Sequence, residues 1–510
     1  MIPVLWFTVL SGVLLAPAAN SGAAASRALH AEFQAVLAAE RTDLEALATT
    51  LDMEGKTAES RTVRALIEPD AGSGPIRFRP LPEYVPKLGR GLANVPVSAA
   101  SGLPERARTI RETSARSLFK LAGRAAAPGV HRFALADACL RAVLDRDPNH
   151  AEARRLIGFL PYKGGWATPH ALGLLEKGYV LHPKFDWVLA DWAPHLDRGE
   201  LPGDFSSSGK PVSWLPAEAA DAKREEFSRG WQIKTAPHFE IRTNVPLAES
   251  IVFGRRLEGF QEMFLSQFAD VIGAERLPLA IRFAKPTQKP VAADKKFEVY
   301  YFARRPEYVQ FLKDQFGLNE DISLGYYMPP SEARRFAKAK PRSYFYRDLE
   351  NPIAAHSTLY HEASHQILFE MAGKSNVDSL PSNYWIWEGL GTYFETLEAQ
   401  EDGTLLVGGL VGPRIEQARE KLIVNGEYVP LAKFVEMDKA AFGDPQDVYR
   451  NYAQAMALTA FFLNGENRTY REAFLDYVAD AYRGKLKTPL SGRLGVPYTT
   501  LDAQFKAFLK

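Results

Sequence analysis

The sequence is short of cysteine, of net charge and of long apolar runs. A single cysteine, Cys139, in 510 residues excludes an intrachain disulfide, so stability must come from core packing. Set among apolar residues of a helical stretch, that thiol reads as buried rather than reactive. A formal charge of only +1 argues against nucleic acid or a membrane surface as the main partner, since both call for a basic excess. Beyond the amino terminus no run reaches the roughly 18 consecutive apolar residues that a membrane helix needs, which predicts a mature form without a membrane span. Lysine and arginine are also missing ahead of the apolar run Val4 to Leu15, which is followed by Ala16-Pro17-Ala18 and Ala23-Ala24-Ala25 as candidate cleavage sites. Residues 1–25 read as a signal peptide and predict a secreted or periplasmic protein; the missing basic residues keep an uncleaved anchor as the alternative.

What remains is ordinary globular material, 46% hydrophobic and 24% charged, with length for about two or three cores. The expected class is α+β. Residues 26–215 read as a mostly helical N-terminal region interrupted by a Pro/Gly-rich segment over 68–104, with a strand-like piece at Ile76 to Arg79. Phe133 to Leu160 is similar to the junction between two tetratricopeptide repeats, although no 34-residue repetition accompanies it. The chain is expected to loosen after Gly178, and the Gly-, Ser- and Pro-rich stretch Leu201 to Pro216 is the preferred boundary. From residue 216 to 510 the pattern changes: Phe239 to Thr243, Leu279 to Phe283 and Glu298 to Phe302 read as strands, with a helix over Ala248 to Phe268 and an edge strand at Leu324 to Met328.

The chemistry concentrates in His361-Glu362-Ala363-Ser364-His365. An HExxH spacing on a helix puts both imidazoles on one face, able to reach one metal ion, with the carboxylate of Glu362 beside them. Asn351 as N-cap, Pro352 at the first helical position and Gly373 as a stop predict that helix. Tetrahedral catalytic zinc takes three protein ligands and keeps one position open, so a third ligand is expected from another helix. Glu388 fits, in Trp385-Ile386-Trp387-Glu388-Gly389-Leu390-Gly391. Glu395, two turns on along the same face, is placed to orient a histidine ligand. His356 and His238 are left outside the site, as a helix-surface residue and an ordinary strand residue. Arg334, Arg335, Lys338, Lys340 and Arg342 read as a solvated basic hairpin.

HExxH followed by W-x-x-E-G resembles the gluzincin branch of zinc metallopeptidases, with a gap over residues 366–387 somewhat longer than in the best-known members. The part from about Trp231 onward is similar to the peptidase-MA-like domains of secreted bacterial proteins. The resemblance implies a zincin-like catalytic domain over 216–510, with a small mixed sheet above the HExxH helix and a helical lower half. It implies Zn2+ held by His361, His365 and Glu388, with Glu362 as general base in hydrolysis of a peptide or protein substrate. It also implies a later tyrosine that hydrogen-bonds the oxyanion, for which Tyr452 is the candidate and Tyr449 the competitor. No Gly-Ala-Met-Glu-Asn pattern for capturing a substrate amino terminus occurs, which favours internal cleavage. The alternative function is a non-catalytic or non-peptide-hydrolysing zinc protein that acts through its N-terminal helices as a protein-binding module.

Overall fold

The computed structural model describes residues 19–67, 74–87, 103–318, 324–336, 339–372, 382–410 and 412–510. The apolar run behind the signal-peptide reading lies outside these residues, as do Gly373, Lys338 and most of the Pro/Gly-rich segment. No described helix is long and apolar enough to cross a membrane.

The chain is α+β. Its N-terminal part begins with the helices Ala19–Met53 and Thr57–Arg64, which pack on each other. Leu44, Leu47 and Leu51 of the first helix meet Val63 of the second in a small core of their own. The helices Glu105–Ala125, Phe133–Arg146 and Ala151–Ile157 follow. Cys139 is fully buried among them, and burial pushes its thiol up to about 12, which makes it unreactive at neutral pH.

Three short antiparallel hairpins come next, the last two in the stretch where the sequence suggests loosening: Leu160–Tyr162 with Gly165–Ala167, Tyr179–His182 with Asp186–Leu189, and Glu200–Pro202 with Trp214–Pro216. The half-buried carboxylate of Glu83 ties the first two together, accepting from Thr168 Oγ1 and Trp187 Nε1 at 3.1 Å each and facing His170 Nδ1 at 3.1 Å. Each strand is only three or four residues long, too brief for alternation to show against the surrounding glycine and proline.

The second half carries a five-stranded mixed sheet. In chain order its strands are β1 (Trp231–Ile233), β2 (Phe239–Thr243), β3 (Phe297–Phe302), β4 (Gly325–Met328) and β5 (Arg342–Tyr346), in spatial order β4-β5-β3-β2-β1. The pairs β2/β3 and β3/β5 are parallel, while the outer strands β1 and β4 run antiparallel to their neighbours. Alternation on β2 buries Phe239, Ile241 and Thr243, the half-buried pattern that marked it as a strand. The expected strand Leu279 to Phe283 is instead the helix Pro278–Ala284. Pro278 supplies the preset φ of a first helical turn. Arg282 then reaches Leu156 O and Ile157 O at 2.6 and 2.9 Å, an anchor that alternation in sequence does not reveal. In the basic stretch Arg334, Arg335 and Lys340 are exposed, as expected, whereas Arg342 is partly buried where it bonds Glu298 on β3, which Lys340 also reaches.

Beneath the sheet lie α1 (Leu247–Gln267), α2 (Pro352–Ala372), α3 (Trp385–Phe394), α4 (Pro413–Ala418), α5 (Val448–Asn464) and α6 (Arg471–Tyr482). Leu359, Ala363, Ile367 and Leu368 turn one face of α2 inward. Gln366 fastens α2 to the sheet, accepting from Ser343 Oγ at 2.9 Å and donating to Glu298 O at 3.2 Å. One continuous core runs from Leu29 to Leu509 and includes residues of both halves. The N-terminal region is thereby built into the molecule: its strand Ile76–Phe78 pairs with Leu405–Val407, and Arg132 makes a two-pronged bond to Asp476 of α6 at 2.7 and 2.9 Å.

Candidate metal centre

HExxH sits in the middle of α2, which begins at Pro352 with Ala355 N–H bonded to Asn351 O at 3.1 Å. His361 and His365 project from one face, and α3 crosses in front of them. Gly391 permits that crossing, and Gly389 permits the approach of α5 from the other side. On Gly389 a β-carbon would stand 2.5 Å from Thr459 Oγ1 and 2.9 Å from Ala455 O of α5; on Gly391 it would stand 2.8 Å from both Cε1 and Nε2 of His361. The W-E-G-L-G pattern is therefore a packing surface with one bare side for α5 and another for the imidazole.

Between α2 and α3, Glu388 Oε2 lies 3.4 Å from His361 Nε2 and 3.9 Å from His365 Nε2. Ligand atoms of these three residues all fall within 4.8 Å of one another. Donors bound tetrahedrally at about 2.0–2.1 Å sit roughly 3.3–3.4 Å apart, so these three donors could hold a metal ion after drawing somewhat closer together. The charge balance agrees. Glu362, Glu388 and Glu395 surround His361, and although burial opposes its charged form, its bonds to Glu388 and Glu395 prevail and push it up to about 10. A site that draws a proton onto imidazole in this way lacks positive charge, which a metal cation supplies.

The two imidazoles are held differently. His361 Nδ1 meets Glu395 Oε1 at 3.0 Å, and Arg414 of α4 donates from Nε to Glu395 Oε2 at 3.0 Å. Burial disfavours the Glu395 carboxylate, yet His361 and Arg414 overcome it and hold Glu395 below the usual range. His365 is fixed by its face: its ring stacks on Trp387 at 3.9 Å with 3° between planes, and Nδ1 meets no hydrogen-bond partner among the described residues. Burial, then the His361 charge, keeps His365 well below the ordinary imidazole range.

Glu362 stands beside the three donors with a different neighbour. Its Oε2 accepts from the main-chain N–H of Tyr327 on β4 at 2.9 Å. Gly325 makes the approach of β4 possible, because a β-carbon there would come 2.8 Å from Thr358 and 3.3 Å from Glu362. Tyr452, half-buried on α5, directs its hydroxyl at Glu388; burial and the Glu388 and Glu362 charges push it far above the usual phenol range. Tyr449 is 67% exposed on the outer face of the same helix, so the structure brings Tyr452 to the donors and leaves Tyr449 outside.

His356 and His238 lie elsewhere, as expected, though neither is a plain surface or strand residue. His356 is partly buried against Tyr360, with Nε2 at 3.2 Å from its hydroxyl, and burial lowers it to about 4. His238 precedes β2 and faces Glu258 Oε2 at 2.8 Å. Two neighbours of the site escape sequence reasoning: Tyr384, whose hydroxyl donates to Glu388 Oε1 at 2.9 Å, and Arg414. Tyr384 carried a usable signal, four residues before Glu388 and so on the same helical face. Arg414 carried none, because α4 has no motif that ties it to the HExxH helix.

A family described as a protein of unknown function (DUF1570) matches residues 355–487. That span contains the three donor residues together with Glu362, Tyr384, Glu395, Arg414 and Tyr452. No curated protein matches the chain.

Proposed function

We propose that this chain is an exported zinc-dependent hydrolase of the gluzincin type that cleaves internal peptide bonds. The observation that carries the reading is the convergence of His361 Nε2, His365 Nε2 and Glu388 Oε2 beside a second carboxylate, Glu362, that is not one of the three donors. A purely structural zinc site is closed by its own ligands, and it has no use for a carboxylate held next to an open side.

Zinc bound by these residues supplies Lewis acidity, lowering the pKa of a water to about 7 and polarising a carbonyl. The remaining work belongs to the chain. Glu362, half-buried and steadied by the Tyr327 N–H, accepts the proton of the attacking water and carries it to the leaving amine. Tyr452 donates its hydroxyl hydrogen to the oxyanion of the tetrahedral species; burial keeps that hydroxyl protonated across the whole working range of pH. Glu395, anchored by Arg414, holds the proton on Nδ1 of His361 so that Nε2 remains the donor. Trp387 covers His365 and excludes water from that side. The peptide preference rests on β4, the edge strand of the sheet, which passes directly over Glu362. An extended peptide joins such an edge by main-chain hydrogen bonds, which sets its scissile carbonyl along the strand direction.

The test is hydrolysis of a broad library of unstructured peptides by the zinc-loaded wild-type protein and by Glu362→Gln. Cleavage by the wild type that disappears in the zinc-retaining variant supports the reading. Zinc bound equally by both proteins with no cleavage by either overturns the peptidase assignment, and cleavage that survives Glu362→Gln overturns the assigned base.

A further inference from the structure

Glu388 has two carboxylate oxygens, and the structure engages them differently. Oε2 faces the two imidazoles, at 3.4 and 3.9 Å, whereas Oε1 accepts a hydrogen bond from the Tyr384 hydroxyl at 2.9 Å. Tyr384 stands at the start of α3 with helical dihedrals (φ −57°, ψ −29°), so its side chain runs along the face that carries Glu388 one turn later. Its ring is 7% exposed and packs on Phe442, with centroids 5.5 Å apart.

The approach to Tyr384 is itself built. Asn383, 6% exposed, has φ +66°, a left-handed conformation uncommon outside glycine, which surrounding bonds must enforce. Its N–H donates to Val435 O at 2.8 Å, its Oδ1 accepts from the Tyr477 hydroxyl of α6 at 2.8 Å, and the Tyr384 N–H donates to Met437 O at 3.1 Å. Two separate segments, residues 435–437 and α6, thus fix where α3 begins and where the Tyr384 hydroxyl points.

Resting on the metal-site reading above, we propose that Tyr384 is a positioning residue that commits Oε1 of Glu388 to the protein, so that this glutamate offers a metal ion one oxygen only. A carboxylate free to rotate can present both oxygens and fill two coordination positions; a hydroxyl donor that holds one oxygen aside keeps a position open for water. The effect is on coordination, separate from any role in proton transfer.

The test uses the full chain loaded with Co2+ in place of zinc, comparing visible absorption of the wild type, Tyr384→Phe and Tyr482→Phe. Phenylalanine keeps the packing on Phe442 and removes the hydroxyl alone. Tyr482, whose buried hydroxyl lies in the field of Glu388 without a hydrogen-bond partner among the described residues, is the control for losing a nearby hydroxyl. The expected result is intense four-coordinate bands in the wild type and in Tyr482→Phe, with weaker bands in Tyr384→Phe as coordination rises. Competition with a chelator should show zinc affinity altered by about 10- to 100-fold in Tyr384→Phe, the range for an outer partner of a ligand. Tyr477→Phe, which releases Asn383 from outside the site, should move the spectrum the same way by less, and it serves if Tyr384→Phe does not fold. Identical spectra in metal-loaded wild type and both of these variants overturn the proposal. A wild-type protein that takes up neither Co2+ nor zinc overturns the metal reading itself, a distinct outcome.

Discussion

Glu362 and Glu388 are two glutamates within reach of the same point, and their neighbours separate their roles. Glu388 is 6% exposed, faces both imidazoles and gives its other oxygen to Tyr384; Glu362 is half-buried and leans on a main-chain N–H of the edge strand. The first arrangement suits a ligand and the second a base that must pick up and release a proton. A similar contrast divides the two tyrosines. Tyr452→Phe removes a hydroxyl from beside Glu388 and is expected to lower kcat by about 10²- to 10³-fold, the usual loss for one oxyanion donor, with zinc content unchanged. Tyr449→Phe alters a side chain that is 67% exposed and is expected to turn over at the wild-type rate. Steady-state kinetics on the two variants decides between them, and a loss confined to Tyr449→Phe would reverse the assignment.

At the scale of elements, the site depends on how closely α3 crosses α2, and that closeness depends on glycine. Gly391→Ala puts a methyl group 2.8 Å from His361 Nε2, nearer than ordinary van der Waals contact allows, so the imidazole must turn or α3 must move. The expected outcome is a folded protein with at least a 10-fold weaker hold on zinc, the lower end of what disturbing a ligand's support costs, read by chelator competition; an unchanged affinity would show that the crossing has slack. Much of this region was legible in the sequence because each signal was local. His361 and His365 share a turn of helix, Pro352 marks its start, and Glu388 and Glu395 are two turns apart on one helix. What the sequence concealed was set by partners far along the chain. Leu279 to Phe283 alternates like a strand but is a helix held by Arg282 on carbonyls more than a hundred residues earlier. Arg414 reaches Glu395 from a short helix of its own, and the small hairpins between Leu160 and Pro216 are too brief for a periodic signal.

At the scale of the whole molecule, the two halves share one core, and charged groups join them at a buried seam. Asp270 caps the helix Phe133–Arg146, accepting from Phe133 N–H at 2.7 Å and Ala134 N–H at 3.3 Å, while Arg132 beside it bonds Asp476 and approaches Glu472 at 3.5 Å. Burial, then the Glu472 charge, pushes Asp270 up to about 7 from 3.8, against the pull of Arg132 and the two N–H groups. The folded state therefore holds this proton more tightly than the unfolded one. Its contribution to stability is fully present below about pH 3.8 and is lost as pH rises to about 7. Asp270→Asn keeps an oxygen acceptor for the helix and should flatten that decline in denaturant midpoints measured across the same interval; an unaltered slope would place the titration elsewhere. The central claim, that one chain holds one zinc ion between α2 and α3, is tested most directly by metal content. Mass spectrometry of the intact protein after zinc loading and exhaustive desalting, run on the wild type, Glu362→Gln and Glu388→Ala, should find one zinc in the first two and none in the third. A wild-type protein without zinc, or a Glu388→Ala variant that keeps it as firmly as the wild type, would contradict the account.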